Sequence, residues 1–278
     1  MLSFTLKSEL AAMPERLKIL VTGAAGNIGT YFVKESADRY DLRLFVHTLD
    51  EDAKALSRFG ELMHGDLADL ETARKACVGR DVVLHLAGVP DAFAKWDALL
   101  PANIIATHHL FAAAVEAKCK KIVFASSIHA ISGYPAGVQV KTTDPVNPGD
   151  LYGVTKCFGE ALGRYFSTQK GIAFLALRIG AFQPFDAPSE GGSMANADGF
   201  VSRRDLQQLI ELCLDDQKLQ FAIFQALSDN TFNRMDISDA RELLGYAPKD
   251  DFFESHPELR ETGLSKEVRA HNLSDKAG

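Results

Sequence analysis

The sequence has no C-x-x-C pair, no tract of basic residues and no excess of positive charge, and each gap closes off a class of function. Its four cysteines, Cys77, Cys119, Cys157 and Cys213, are scattered along the chain. Neither a zinc site nor a disulfide framework is indicated, and no metal is expected; reduced thiols fit a cytoplasmic protein. Lys and Arg total 30 against 37 Asp and Glu, a formal charge of -7, which argues against nucleic acid as a partner. The N-terminal "MLSFTLKSELAAMPERLK" interrupts its apolar residues with charge and lacks the continuous core of a signal peptide. No later apolar run is read as reaching membrane-spanning length, so no membrane partner is expected. What is there is 278 residues, 46% of them hydrophobic, enough to bury the core of one large domain or of one domain with a smaller lobe.

From Leu17 onward, short apolar runs alternate with helical patterns: "LKILVTG" then Ile28 to Ala37, "LRLFVH" then Asp50 to Phe59, "ELMHGDL" then Leu70 to Cys77. The series continues through "DVVLHLAG", a helix from Trp96 to Ala117, "KKIVFASS", a helix opening at "DLYGVTK", and "IAFLALRIG". Six strands separated by helices predict an α/β fold, a doubly wound parallel sheet (Rossmann fold) with a small C-terminal substrate-binding lobe. The divisions expected are an N-terminal extension over 1–16, a dinucleotide-binding domain over 17–180, a lobe over 181–264 and a polar tail over 265–278. In the lobe, the Pro-, Gly- and Ser-rich segment 182–201 reads as a mobile or binding-ordered loop. It precedes a helix from Arg203 to Leu214, a short strand "LQFAIFQ" and a helix from Ile237 to Leu244.

"VTGAAGNIGTYF" sets Gly23, Gly26 and Gly29 between the first strand and first helix, with Asn27 and Ile28 opening the helix. Glycines there permit a tight turn and close backbone approach, and a helix N-terminus favours a pyrophosphate. An acid at the end of the second strand would mark NAD through the ribose 2'-hydroxyl. Here His47 and Thr48 stand at that place and the first acid, Asp50, comes later; no Arg is there to welcome a 2'-phosphate, so NAD and NADP both remain open. Asp66 and Leu67 past the third strand, and Leu86, Ala87 and Gly88 past the fourth, are candidate neighbours of the adenine and of the cofactor's middle.

The fifth strand ends in "FASSIHAISGYP", so Ala125, Ser126 and Ser127 reach the same crevice as the start of the helix carrying Tyr152 and Lys156. Hydride departure from a carbinol carbon requires removal of the hydroxyl proton. A phenol of pKa about 10 needs a nearby cation to become a base. Lys156, one helical turn from Tyr152, is read as that cation and as a partner of the nicotinamide ribose, and Ser127 as the group that holds the substrate oxygen.

Together, "TGAAGNIG", "GDL", "HLAG", "SS" and "YGVTK" resemble the extended short-chain dehydrogenase/reductase superfamily, also known as the NAD-dependent epimerase/dehydratase family, from Leu17 to about Asp251. "KIVFASSIH", "LYGVTKCFGE", "RIG" and "LGYAPKD" look like its uronate dehydrogenase branch and sugar-dehydrogenase relatives, which oxidise an anomeric carbon to a lactone with NAD. The resemblance implies Tyr152 as base, Lys156 as its partner, Ser127 and His129 on the substrate side, and Asn103 and Ile179 beside the cofactor. The chain departs from that branch at Ile128, where Asn is expected, and at Ala181, where a substrate-binding serine is expected. No arginine lies between Phe182 and Val201 for a uronate carboxylate; Arg203 and Arg204 stand just beyond.

An NAD(P)-dependent oxidoreductase acting on a sugar or sugar-acid carbinol is the expectation. An epimerase of the same family is the alternative, disfavoured by the short lobe, and a non-enzymatic NAD(P)-sensing protein is a third, disfavoured by Tyr152 and Lys156. The amphipathic helices at Trp96 to Ala117 and Gly153 to Thr168 suggest a homo-oligomer.

Overall fold

The computed structural model describes residues 16–183 and 197–255. The chain runs β1 (Lys18–Thr22), α1 (Asn27–Ser36), β2 (Asp41–Val46), α2 (Glu51–Ala55), β3 (Glu61–His64), α3 (Leu70–Cys77), β4 (Val82–His85), α4 (Trp96–Leu99), α5 (Ala106–Glu116) and β5 (Lys121–Ser127). It continues through α6 (Leu151–Lys170), β6 (Ala173–Ile179), β7 (Ala181–Gln183), β8 (Phe200–Ser202), α7 (Arg203–Asp215), β9 (Phe221–Ala226), α8 (Ser238–Leu244) and α9 (Phe252–Ser255).

Seven strands make one sheet in the order β3-β2-β1-β4-β5-β6-β9, every pair parallel. Parallel strands are covered on both faces and therefore read as unbroken apolar runs. The two-residue alternation then sorts those runs into two cores. Ile19 and Val21 face one side, with Phe32 and Val33 of α1 and Leu206, Leu209 and Ile210 of α7. Leu20, Ile122 and Phe124 face the other, with Ala73 and Ala76 of α3 and Leu110, Phe111 and Ala114 of α5. The strand order reverses between β1 and β4, and the carboxyl ends of the strands there open the crevice in which such folds bind ligands.

Three expectations need correction. The strand in "LQFAIFQ", read as part of the lobe, is the seventh strand of the main sheet, in register with β6 from Phe174↔Phe221 to Ile179↔Ala226. Helix α7 supplies the crossover that a parallel addition requires, and the stacked rings of Phe174 and Phe221, 5.8 Å apart, join the two strands. The helix expected without interruption from Trp96 to Ala117 widens between α4 and α5 into a π-helical segment, Leu100–Ile105. Pro101 there lacks the N–H that an α-helical ladder uses. That same helical run, Trp96–Glu116, is long and apolar enough by length and composition to cross a membrane, contrary to expectation. The fold spends this apolar character on packing: Leu110, Phe111, Ala113 and Ala114 are fully buried against the sheet.

Beyond the sheet, β7 and β8 pair with each other. Ile128, Ile131, Val140, Leu227, Met235 and Ile237 form a small separate core next to the ends of β5 and β9. Most of the expected N-terminal extension, the segment 184–196 of the loop, and the polar tail lie outside the described residues.

Candidate active site

The turn after β1 brings Gly23 to φ +67°, a left-handed conformation, with its α-carbon so close to the end of β4 that an added Cβ would lie 2.8 Å from the Ala87 nitrogen. Helix α1 starts at Gly26 without a capping side chain and without an acid in its first turn. Helices α2, α3, α6 and α7 instead carry Asp50, Asp69, Asp150 and Ser202 as caps. Ala25, Gly26 and Asn27 are exposed, Ile28 is half-buried and Gly29 buried. Unmet N–H groups and a positive dipole end at an accessible glycine turn suit a pyrophosphate. The Asp50 carboxylate is committed to α2, accepting from Ala53 N at 2.8 Å, and His47 is exposed. No carboxylate therefore stands at the β2 end itself. Asp66, expected beside the adenine, accepts from Ala68 N at 2.8 Å within its own turn, while Leu67 is buried in the core.

Gly88, with φ +151°, lies where β4 meets the crevice. A Cβ there would sit 3.0 Å from Asn103 Oδ1 and 3.7 Å from Lys156 Nζ, so glycine keeps open the space between them. Leu86 and Ala87 are half-buried beside it. Asn103, expected beside the cofactor, is a bracket for this loop. Its Oδ1 accepts from Val89 N at 2.8 Å, and its Nδ2 donates to Val89 O at 3.1 Å and to Thr155 Oγ1 at 3.0 Å. The loop after β4 is thereby tied to α6, the helix bearing Tyr152 and Lys156. An open cradle over glycine backbone, next to a buried amine, fits a dinucleotide.

Strand β5 delivers two neighbouring serines to opposite sides. Ser127 Oγ accepts from His129 N at 3.2 Å and acts on the Tyr152 phenol, lowering it. Ser126 Oγ donates to Glu160 Oε1 at 2.6 Å, behind the crevice. Glu160 is chelated by Arg178, Nε to Oε1 and Nη2 to Oε2, both at 2.9 Å, and this ion pair is almost fully buried. Sequence reasoning passed over Glu160 and Arg178, although the spacing Tyr152-x-x-x-Lys156-x-x-x-Glu160 marks one face of a helix.

Tyr152 and Lys156 are both buried. Burial pushes the Tyr152 phenol up to about 12, with the Ser127 hydrogen bond pulling the other way. Lys156 Nζ donates to Ala125 O at 2.8 Å and lies 5.4 Å from the Tyr152 ring centre. With no carboxylate to compensate, burial pulls its amine down to about 8. Desolvation of the phenolate outweighs the lowering by Ser127, so the lowered phenol expected from the lysine is not found here. Below Lys156, His85 is enclosed between Thr22 Oγ1 at 2.8 Å and Thr107 Oγ1 at 3.2 Å. Burial first, and the Lys156 charge second, drive it down to about 3, so it is a neutral strut.

His129 stands with its ring edge-on to Tyr152, centroids 5.3 Å apart. Its Nδ1 is bonded at 2.6 Å to Oδ2 of Asp150, whose other oxygen caps α6 by accepting from Gly153 N at 2.7 Å. One buried carboxylate therefore orients both the helix start and the imidazole. Gly153 allows this closeness: a Cβ there would fall 2.2 Å from His129 O. Neither Asp150 nor Gly153 was singled out from the sequence, though Asp150 opens the helix as an N-cap residue should. The neighbouring strand ends supply Ala125, Ile179 and Ala181, the first two buried and the third half-buried. Arg203 and Arg204 do not join this group: Arg204 is held by the Asp250 carboxylate, and Arg203 lies over the Tyr31 ring at 5.8 Å.

A model of the NAD dependent epimerase/dehydratase family matches residues 19–242. The chain is 33% identical over 250 residues to the NAD-dependent glucose-6-phosphate dehydrogenase of Haloferax volcanii, covering 84% of this chain and 93% of that one. It is 30% identical over 256 residues to the L-arabinose 1-dehydrogenase (NAD(P)(+)) of the same organism, covering 84% and 97%. The crystal structure of uronate dehydrogenase from Agrobacterium tumefaciens superposes with a TM-score of 0.76 at 30% identity, covering 88% of this chain and 89% of that one.

Proposed function

The chain belongs to the NAD dependent epimerase/dehydratase family, and on that premise we propose that Tyr152, Lys156 and Ser127 carry out the NAD(P)-dependent oxidation of a sugar or sugar-acid carbinol. The observation that carries this reading is the convergence of Ser127, the buried Tyr152 phenol and a buried lysine with no carboxylate beside it at the carboxyl ends of the strands. Ser127 and Tyr152 hold the substrate oxygen, and Tyr152 takes the hydroxyl proton as the carbon–hydrogen bond breaks. Bound nicotinamide supplies the hydride acceptor. Lys156, charged below about pH 8, supplies the positive charge that would draw the phenol down from the value of about 12 that burial gives it. His129, aimed by Asp150, lines the substrate side with Ala181. Gly23, Gly26, Asn27, Ile28, Gly29 and Gly88 hold the dinucleotide phosphates and middle, and Ala125 and Ile179 flank its nicotinamide end.

The coenzyme reading is dual. With no acid at the β2 end to repel a 2'-phosphate and no arginine to attract one, NAD and NADP serve with kcat/KM values within about an order of magnitude, which is about 1.4 kcal/mol. The substrate lobe comprises the β7–β8 pair and the elements after β9. A second copy of the chain covers the apolar surface made by Trp96, Ile105, Leu151 and Val154, each more than a third exposed, as a homo-oligomer. The test is a panel of aldoses, uronates and sugar phosphates with each coenzyme, using wild type and Tyr152→Phe. Turnover should fall at least about a hundredfold in the variant while NADH binding persists. Wild-type turnover by Tyr152→Phe would remove Tyr152 from the mechanism.

A further inference from the structure

We propose that Asp198 and Arg234 form the far end of the sugar site and select a neutral aldose over a uronate or sugar phosphate. This rests on the sugar-oxidising reading above and narrows its substrate class. Both residues are more than nine-tenths buried, at 4% and 8% exposure. Both also keep a polar atom without a hydrogen-bond partner: Oδ2 of Asp198 and Nε of Arg234. They are neighbours, since Arg234 N donates to Asp198 O at 3.3 Å, and each charge acts on the other. Yet no side-chain hydrogen bond joins them; the Arg234 Nη2 donates instead to Tyr134 O.

Their position ties the pair to the reacting end. Gly199, next to Asp198, would place a Cβ 3.2 Å from Ile128 Cδ1 and 3.5 Å from Met235 Cε. Ile128 follows the catalytic Ser127, and Met235 follows Arg234. Ala181 N donates to Gly199 O at 2.7 Å. The pair thus adjoins the ends of β5 and β6, where Ile128 and Ala181 replace the polar residues expected of a uronate-binding branch. A buried carboxylate oxygen and a buried guanidinium N–H, each without a partner, are completed by a group that both donates and accepts. Sugar hydroxyls do this; a carboxylate or phosphate, acceptor only, meets Asp198 repulsively.

The charge balance points the same way. Among the described residues near these strand ends, Arg234 faces Asp198, Arg178 faces Glu160 and Arg204 faces Asp250, whereas Lys156 and Arg203 stand without an acid. A substrate anion drawn to Arg234 would therefore also meet the Asp198 carboxylate.

The experiment compares L-arabinose and D-galactose with D-galacturonate and D-glucose 6-phosphate, by kcat/KM and by titration of the enzyme–NADH complex. Wild type, Asp198→Asn and Arg234→Gln are used, each checked by circular dichroism and NADH binding. Wild type should favour the neutral sugars by at least about a hundredfold, and Asp198→Asn should shrink that ratio at least about tenfold by freeing Arg234. Arg234→Gln should raise the KM for neutral sugars about tenfold and still reject the anions, with kcat within about threefold of wild type. A wild-type preference for either anion overturns the proposal, as does an unchanged KM and ratio in both variants. If a variant fails to fold, the wild-type titration alone decides. Binding of NADH with no turnover of any sugar overturns the proposed function itself, and this inference with it.

Discussion

Replacing Lys156 with Met should make the protein more stable and less active, and the structure sets the size of both effects. The amine is buried against Ala125 O with no carboxylate beside it, and its proton affinity falls from the ordinary 10.5 to about 8. At about 1.4 kcal/mol per tenfold change in proton affinity, that is roughly 3 kcal/mol of native-state cost at pH 7. Against it stand the Ala125 carbonyl left without a donor, about 1 kcal/mol, and the contact of the ammonium with the Phe124 ring, worth about 0.5–1 kcal/mol. A near-isosteric Met keeps the packing, so Lys156→Met should gain about 1–2 kcal/mol at pH 7, a rise of several degrees in Tm for a chain of this size. The sign with pH is distinctive. The cost is full below about pH 8, where the folded amine is charged; it shrinks as pH rises toward 10.5, where the unfolded amine also loses its proton. Urea unfolding of wild type and variant at pH 7 and pH 10 measures this directly. A variant less stable than wild type at pH 7, or a difference that does not narrow by pH 10, would refute the reasoning. Turnover should fall alongside, with weaker cofactor binding.

Glu160→Gln should destabilise by about 3–5 kcal/mol, because it strands the buried Arg178 guanidinium; denaturant midpoints at neutral pH report it, and a loss below 1 kcal/mol would contradict the burial. Asp150→Ala should cost about 1 kcal/mol as a lost helix cap and also lower kcat/KM by freeing His129. Histidine tautomer signals in nitrogen NMR distinguish the two effects, and an unaltered His129 spectrum would remove the orienting role. Leu151→Glu with Val154→Glu, on the exposed face of α6, should shift the sedimentation coefficient toward monomer with secondary structure intact; an unshifted assembly would place the interface elsewhere.

The sheet was largely legible because its strands are covered on both faces and therefore spell apolar runs. The glycine turn, Tyr152, Lys156 and Ser127 were legible because their chemistry dictates residue type and spacing together. The seventh strand was misplaced because "FAIF" has the same alternation whichever sheet it joins; only its register with β6 and the crossover through α7 decide. Burial was the other hidden quantity. Tyr152-x-x-x-Lys156 suggests a lowered phenol, but the enclosing core raises it. Asp150, Glu160 and Arg178 gain their meaning from partners 18 to 34 residues away in sequence, a distance that local patterns do not span.

The two serines of β5 have a further consequence. Neighbours on a strand look to opposite sides, so the proposed catalytic serine and a core-stabilising one share one short segment in a fixed order: Ser126 to the Glu160–Arg178 pair, Ser127 toward Tyr152. Loss or gain of one residue within Lys121–Ala125 would trade their faces, setting the wrong serine toward the phenol and the other into the core. This strand therefore admits no change of length. Variation in what the enzyme recognises is confined to the connections that leave the sheet, where chain can be added without inverting a face.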